Sequence, residues 1–100
     1  MNVQTTAAAV PDLAPQFDQF DLSNPQHLAM RKLMADVYSR HANALLCGVE
    51  KSAIAYRGMG EGLERVAIYV LADPVLGSLS ASLNFAMFYM EEIYRARAAA

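Results

Sequence analysis

Residues 57–62 read Arg57-Gly58-Met59-Gly60-Glu61-Gly62. How this stretch is read decides how many helices the chain makes. Three alternating glycines reach positive φ without steric cost, so the stretch reads as a break that ends one helix before another opens. A phosphate-cradling loop is the other chemistry a glycine string suggests. That reading fails here, because the G-x-G-x-x-G spacing, a P-loop lysine and a preceding strand are all missing.

Upstream of the break, Ser23-Asn24-Pro25 is a helix start. Ser23 or Asn24 can cap free N–H groups, and Pro25 suits the first helical position. A helix from about 25 to 57 follows, roughly 50 Å long at 1.5 Å per residue, with Gly48 placed to bend it. Tyr38, Ala42, Leu45, Val49, Ser52 and Tyr56 recur at alternating spacings of four and three and form one seam. Met30, Met34, Val37 and His41 form a second stripe beside it. Asp36 and Arg40 are placed for an i,i+4 ion pair.

Downstream, LERVAIYVLAD (residues 63–73) alternates Val66, Ile68 and Val70 as a strand would. No second strong strand exists to pair with it, so a helix over about 61–72 is expected, with Glu61 and Arg65 as an ion pair. Asp73-Pro74 then opens a last helix to about residue 97. Leu76, Leu79, Leu83, Ala86, Met90 and Ile93 make its heptad seam. Phe85, Phe88 and Tyr89 fall on a different face. Gly77 and Ala81, with Ser78 and Ser82, would let another backbone approach closely. Glu91 and Arg95 form another i,i+4 pair.

The expected fold is therefore all-α: a small helical bundle, or a hairpin of two long helices plus one short helix. Residues 1–23 precede it as a flexible acidic arm. Asp12, Asp18 and Asp21 lie in that arm without any Lys or Arg, while residues 24–100 hold eight basic and seven acidic side chains. The QFDQFDL segment carries Phe17 and Phe20, either packed back on the body or offered to another protein.

At 18% charged residues and net charge −2, the chain has no basic field to hold nucleic acid by counterion release. Pro74 to Met90 is its longest uncharged run, and Ser78, Ser80, Ser82 and Asn84 make that run too polar to span a membrane. The start, MNVQTTAAAV, has neither the basic n-region nor the apolar core of a secretory signal. A single cysteine rules out an internal disulfide and agrees with a cytoplasmic location.

Catalysis, a cofactor and a metal are not expected. On one helix His41 and Cys47 would point about 120° apart, and His41 and Glu50 about 180° apart, so they do not converge on an ion. Cys47, among Leu45, Leu46 and Val49, reads as a small buried hydrophobe. What does stand out is the greasy closing helix in a chain too small to bury two apolar faces easily. The expected function is a non-enzymatic helical protein that binds a protein partner or forms a homo-oligomer. Inhibitors, adaptors and chaperones of bacteria and phages are of this type. The expected interface is Gly77, Ala81, Phe85, Phe88 and Tyr89, with Phe17 and Phe20 from the arm.

The run LADPVLGSLSASLNFAMFYMEEIYRAR (residues 71–97) resembles the C-terminal half of type III secretion needle and inner-rod subunits. The resemblance rests on Asp73, Pro74, Leu76, Leu79, Leu83, Tyr89 and Ile93, a pattern many long helices share. It implies the alternative function, a structural subunit of a secretion-type filament or rod. The first helix departs from those subunits, being longer and more apolar than theirs.

Overall fold

A computed structural model of the protein describes residues 19–99. Three helices make up nearly all of it: α1 (Pro25–Leu46), α2 (Glu50–Arg65, continued as a π-helical turn over Val66–Val70) and α3 (Pro74–Ala99). They run up, down and up, and each packs against the other two. No strand occurs among the described residues.

The break expected at the glycine string lies ten residues earlier. α1 ends at Leu46, and Gly48, at φ +75°, supplies the left-handed turn. Gly48 N–H donates to Leu45 O and Val49 N–H to Ala44 O, the paired bonds that close a helix end around a glycine. The glycine string itself is the middle of α2, so the first helix stops short of residue 57 and the second starts well before 61. The reason is tertiary. Ala53, Gly60 and Ala67, seven apart, are the buried residues of α2 and its π turn. A Cβ at Gly60 would run into Asn84 and Met87 of α3. Glycine here lets two helices touch, which outweighs a helix-propensity cost of about 1 kcal/mol.

Of the two stripes expected on the first helix, Met30, Met34, Val37 and His41 is the buried one. The other seam assumed a helix continuous past Gly48. Leu76, Leu79, Leu83 and Ala86 of the α3 seam are buried as expected, with Met87 added. The apolar core divides in two. Phe20, Met30, Met34, Val37, Ala67, Leu76, Leu79, Leu83 and Met87 form the larger cluster, and Ala44, Leu45 and Ala53 the smaller.

Both expected caps are present. Asn24 Oδ1 accepts from the N–H groups of Gln26 and His27, and Asp73 Oδ1 from those of Val75 and Leu76. The Asp36–Arg40 pair forms, but Glu61 pairs with Arg57 rather than Arg65. Cys47, expected to be buried, is exposed because it caps a helix end instead of lying inside a helix.

The described end of the expected arm packs on the body. Phe20 is buried in the larger cluster, its ring edge-on to His27 at 6.3 Å. Asp21 N–H donates to His27 Nδ1, and His27 Nε2–H donates to Asp73 Oδ2, which ties this segment to the starts of α1 and α3. The rest of the expected arm, including Phe17, lies outside the described residues.

The π turn closes on Ala72, a non-glycine residue at φ +50°. An L-residue there costs roughly 1–2 kcal/mol that glycine does not pay. Ala72→Gly is expected to stabilise the fold by about 1 kcal/mol, read as a rise in thermal midpoint. An unchanged or lower midpoint would count against this account of the turn.

Candidate interaction surface

The phase of α3 decides what it shows. Leu76, Leu79, Leu83 and Ala86 turn into the core, and Gly77, Asn84 and Glu91, at intervals of seven, lie along α2. The remaining arc carries Val75, Ser78, Ala81, Ser82, Phe85, Phe88, Tyr89 and Glu92, all exposed. Phe85 is 67% exposed, Phe88 49% and Tyr89 43%. The middle helix does not cover them.

Two residues expected on this surface are elsewhere. Gly77 is buried, and a Cβ on it would sit 3.2 Å from Ile68 Cγ1 in the π turn, so its close approach is to its own chain. Phe20 is spent in the core at the start of α3. Ala81 is exposed beside the three aromatics.

Polar contacts hold the arc rigid from behind. Asn84 Nδ2 donates to Gly60 O at 3.1 Å and to Glu64 Oε1 at 2.8 Å, fixing α3 to the backbone of α2. One helical repeat further on, Glu91 is fully buried. Its Oε2 accepts from His41 Nε2 on α1 and from Arg57 Nε on α2, both at 2.8 Å. Arg95 reaches Oε1 at 3.4 Å and Glu50 at 2.9 Å. All three helices therefore meet at one carboxylate. The guanidinium of Arg57 also lies over the Phe88 ring, 5.7 Å from its centroid. The buried carboxylate thus positions the cation that flanks an exposed aromatic, an attraction of about 0.5–1 kcal/mol at such a site.

Burial acts most strongly on the Glu91 carboxyl and raises its pKa. Hydrogen bonds from His41 and Arg57 and the charges of both outweigh that and hold it below the ordinary glutamate value. Asp73 is likewise held low, chiefly by the Leu76 N–H it caps, with His27 adding to the effect. His41 Nδ1 and Asn84 Oδ1 are buried without a hydrogen-bond partner among the described residues. The His41–Glu91 pair is sealed from solvent, so the arrangement does structural rather than substrate chemistry. Among the described residues no three His, Cys, Asp or Glu side chains come together to hold a metal ion, and no helix is long and apolar enough to cross a membrane.

Of this network the sequence showed only the Glu91–Arg95 pair; His41 and Arg57 were missed, since the members lie on three helices. A clue was present: His41 continues the Met30–Met34–Val37 stripe, and Glu91 falls four residues after Met87 on the buried side of α3. Sequence reasoning also missed a second apolar exposure at the π turn, where Tyr69 is 80% and Val70 71% exposed.

No protein-family model, curated protein or solved structure matches the chain.

Proposed function

We propose that this chain is a small non-enzymatic helical protein that binds another protein, as an inhibitor, adaptor or chaperone does, or associates with itself. The surface it uses is the outer face of α3. The observation that supports this reading is that Phe85, Phe88 and Tyr89 stay exposed although three helices already pack on one another. Rigid aromatic side chains are the residues from which interfaces draw most of their energy. Their mounting on a helix pinned by Asn84 and Glu91 keeps the ordering cost of binding small.

The test is affinity capture with the intact chain beside the double variant Phe85→Asp/Phe88→Asp. Both positions are exposed, so each change is expected to alter stability by about 0.5–1 kcal/mol at most, and circular dichroism should show unchanged helicity. Partners of the parent should be lost. If the folded double variant keeps every one of them, the assignment of this face is wrong.

A second reading, a subunit of a secretion-type filament or rod, is favoured by apolar exposure at both ends of the molecule. Tyr69 and Val70 lie at the α2–α3 corner, and Leu46 and Val49 at the α1–α2 corner. Unlike surfaces that meet head to tail without closing build open filaments. Light scattering against concentration separates the two: a fixed mass fits the binder and open-ended growth the filament.

A further inference from the structure

We infer that the occupant of the α3 face is a second copy of this chain, packed antiparallel across a two-fold axis that passes close to Phe85. This deepens the proposed function and rests on its reading of the outer face of α3 as an interface.

The residues of the face are arranged symmetrically in position and oppositely in size about Phe85. Ser82 and Ala81 lie three and four residues before it, and Phe88 and Tyr89 three and four after it; Ser78 is seven before and Glu92 seven after. All of them are exposed. An antiparallel two-fold axis at Phe85 brings each large side chain onto a small one: Phe88 onto Ser82, Tyr89 onto Ala81. It stacks the two Phe85 rings at the centre. Large-on-small contact lets helices approach to the 8–10 Å of close packing. A parallel pair would set Phe88 against Phe88 and leave the serines facing each other across a gap.

Charge agrees with the same orientation. Glu92 is the one carboxylate on this arc, and Arg95 of its own helix pairs with it at 3.1 Å. In a parallel pair the two Glu92 carboxylates would lie level with each other, offset only in part by the two Arg95 side chains. In the antiparallel pair each comes level with Ser78, whose hydroxyl can donate to it, and the two carboxylates stand about 21 Å apart along the helix at 1.5 Å per residue. The helix dipoles then oppose rather than align.

Size supports an occupant of this kind. At roughly 200 Å² per aromatic side chain, the exposed fractions of Phe85, Phe88 and Tyr89 leave about 300 Å² per chain. That is near the largest apolar patch an ordinary monomer shows. Val75, Ile68 on the flanking π turn and the small residues extend it towards the roughly 800 Å² per partner of a stable interface. The described residues are also flat in outline, 42 × 35 × 17 Å, with a radius of gyration of 14.3 Å; a compact globule of 81 residues would have about 12 Å.

The experiment uses the full chain with Cys47→Ser, which removes the one native thiol from an exposed helix end. Sedimentation velocity should give twice the 10.9 kDa chain mass, falling to one chain mass in Phe85→Asp/Phe88→Asp. Ser78→Cys and Glu92→Cys are then added singly to the Cys47→Ser chain. A short bis-maleimide should link a mixture of the two variants into a covalent dimer and leave either variant alone unlinked. Cross-linking of Ser78→Cys with itself would mean a parallel pair and overturn the proposal. A parent chain that stays at one chain mass, or grows without limit, overturns it too. The single-mass result leaves the face free for a different protein, and the capture experiment above decides that separately. A dimer that survives the double aspartate change also overturns the proposal, because the contact then lies elsewhere; the capture experiment still decides separately whether the α3 face binds a different protein.

Discussion

Replacing Glu91 with alanine is expected to cost about 3–5 kcal/mol, the range for removing one partner of a buried ion pair. For a domain whose whole stability is of order 5–15 kcal/mol, that is a large fraction of the total. The cause is what the substitution strands. His41 loses its one hydrogen-bond partner in a fully buried position. Arg57 loses its short contact and is left with Glu61 at 3.6 Å and the Phe88 ring. Urea unfolding should show the loss as a lower midpoint at unchanged slope. A cost under about 1 kcal/mol would mean the carboxylate is not what joins the three helices. His41→Leu/Glu91→Leu is a sharper check, since exchanging a buried polar pair for packed apolar groups is often neutral. It should recover most of what Glu91→Ala loses.

The same carboxylate sets a pH dependence. Glu91 and Asp73 are both held below their ordinary values in the folded chain. A group depressed on folding stabilises the fold above its unfolded pKa, about 4.3 for Glu and 3.9 for Asp. That stabilisation is lost as pH falls through the lower folded value. Unfolding free energy should therefore decline below about pH 4.3, and Glu91→Gln should flatten part of the decline. An identical acid slope in the variant would remove Glu91 from the account.

Substituting alanine along the glycine string should give opposite signs at neighbouring positions. At Gly58 and Gly62 a Cβ meets nothing within 4 Å, so alanine gains helix propensity and should stabilise by about 0.5–1 kcal/mol each. At Gly60 the Cβ collides with Asn84 and Met87. The methyl end of Met87 can swing away. The Asn84 carboxamide cannot, because it is held by Gly60 O and Glu64. Overpacking of this kind costs about 1–3 kcal/mol, so Gly60→Ala should destabilise despite the propensity gain. Thermal melts of the three variants test it. Three shifts of the same sign would show that α3 does not lie against Gly60.

These contrasts show where reading the residues in order stops working. Helix ends marked by local chemistry were legible: Asn24-Pro25 and Asp73-Pro74 carry their caps in neighbouring residues, and both caps form as expected. The core side of α3 was legible too, because Leu76, Leu79, Leu83 and Ala86 hold one phase, and that phase leaves Phe85, Phe88 and Tyr89 on another. The glycine string was misread because a glycine that opens a turn and one that admits a neighbouring helix are identical in sequence. For Phe20 the sequence left two readings open, packed on the body or offered to a partner, for a similar reason. Its burial depends on His27 and Asp73, the latter 53 residues away along the chain.

By itself the sequence determined the all-α class, the two capped starts, the buried side of the last helix and the aromatic side opposite it. These follow from backbone geometry and side-chain period, which act over a few residues. Only the tertiary structure decided that Gly60 is a contact rather than a break, and that His41, Arg57 and Glu91 share one buried charge. Those depend on distances of a few ångströms between residues 16 to 50 positions apart, and no local pattern encodes such a distance.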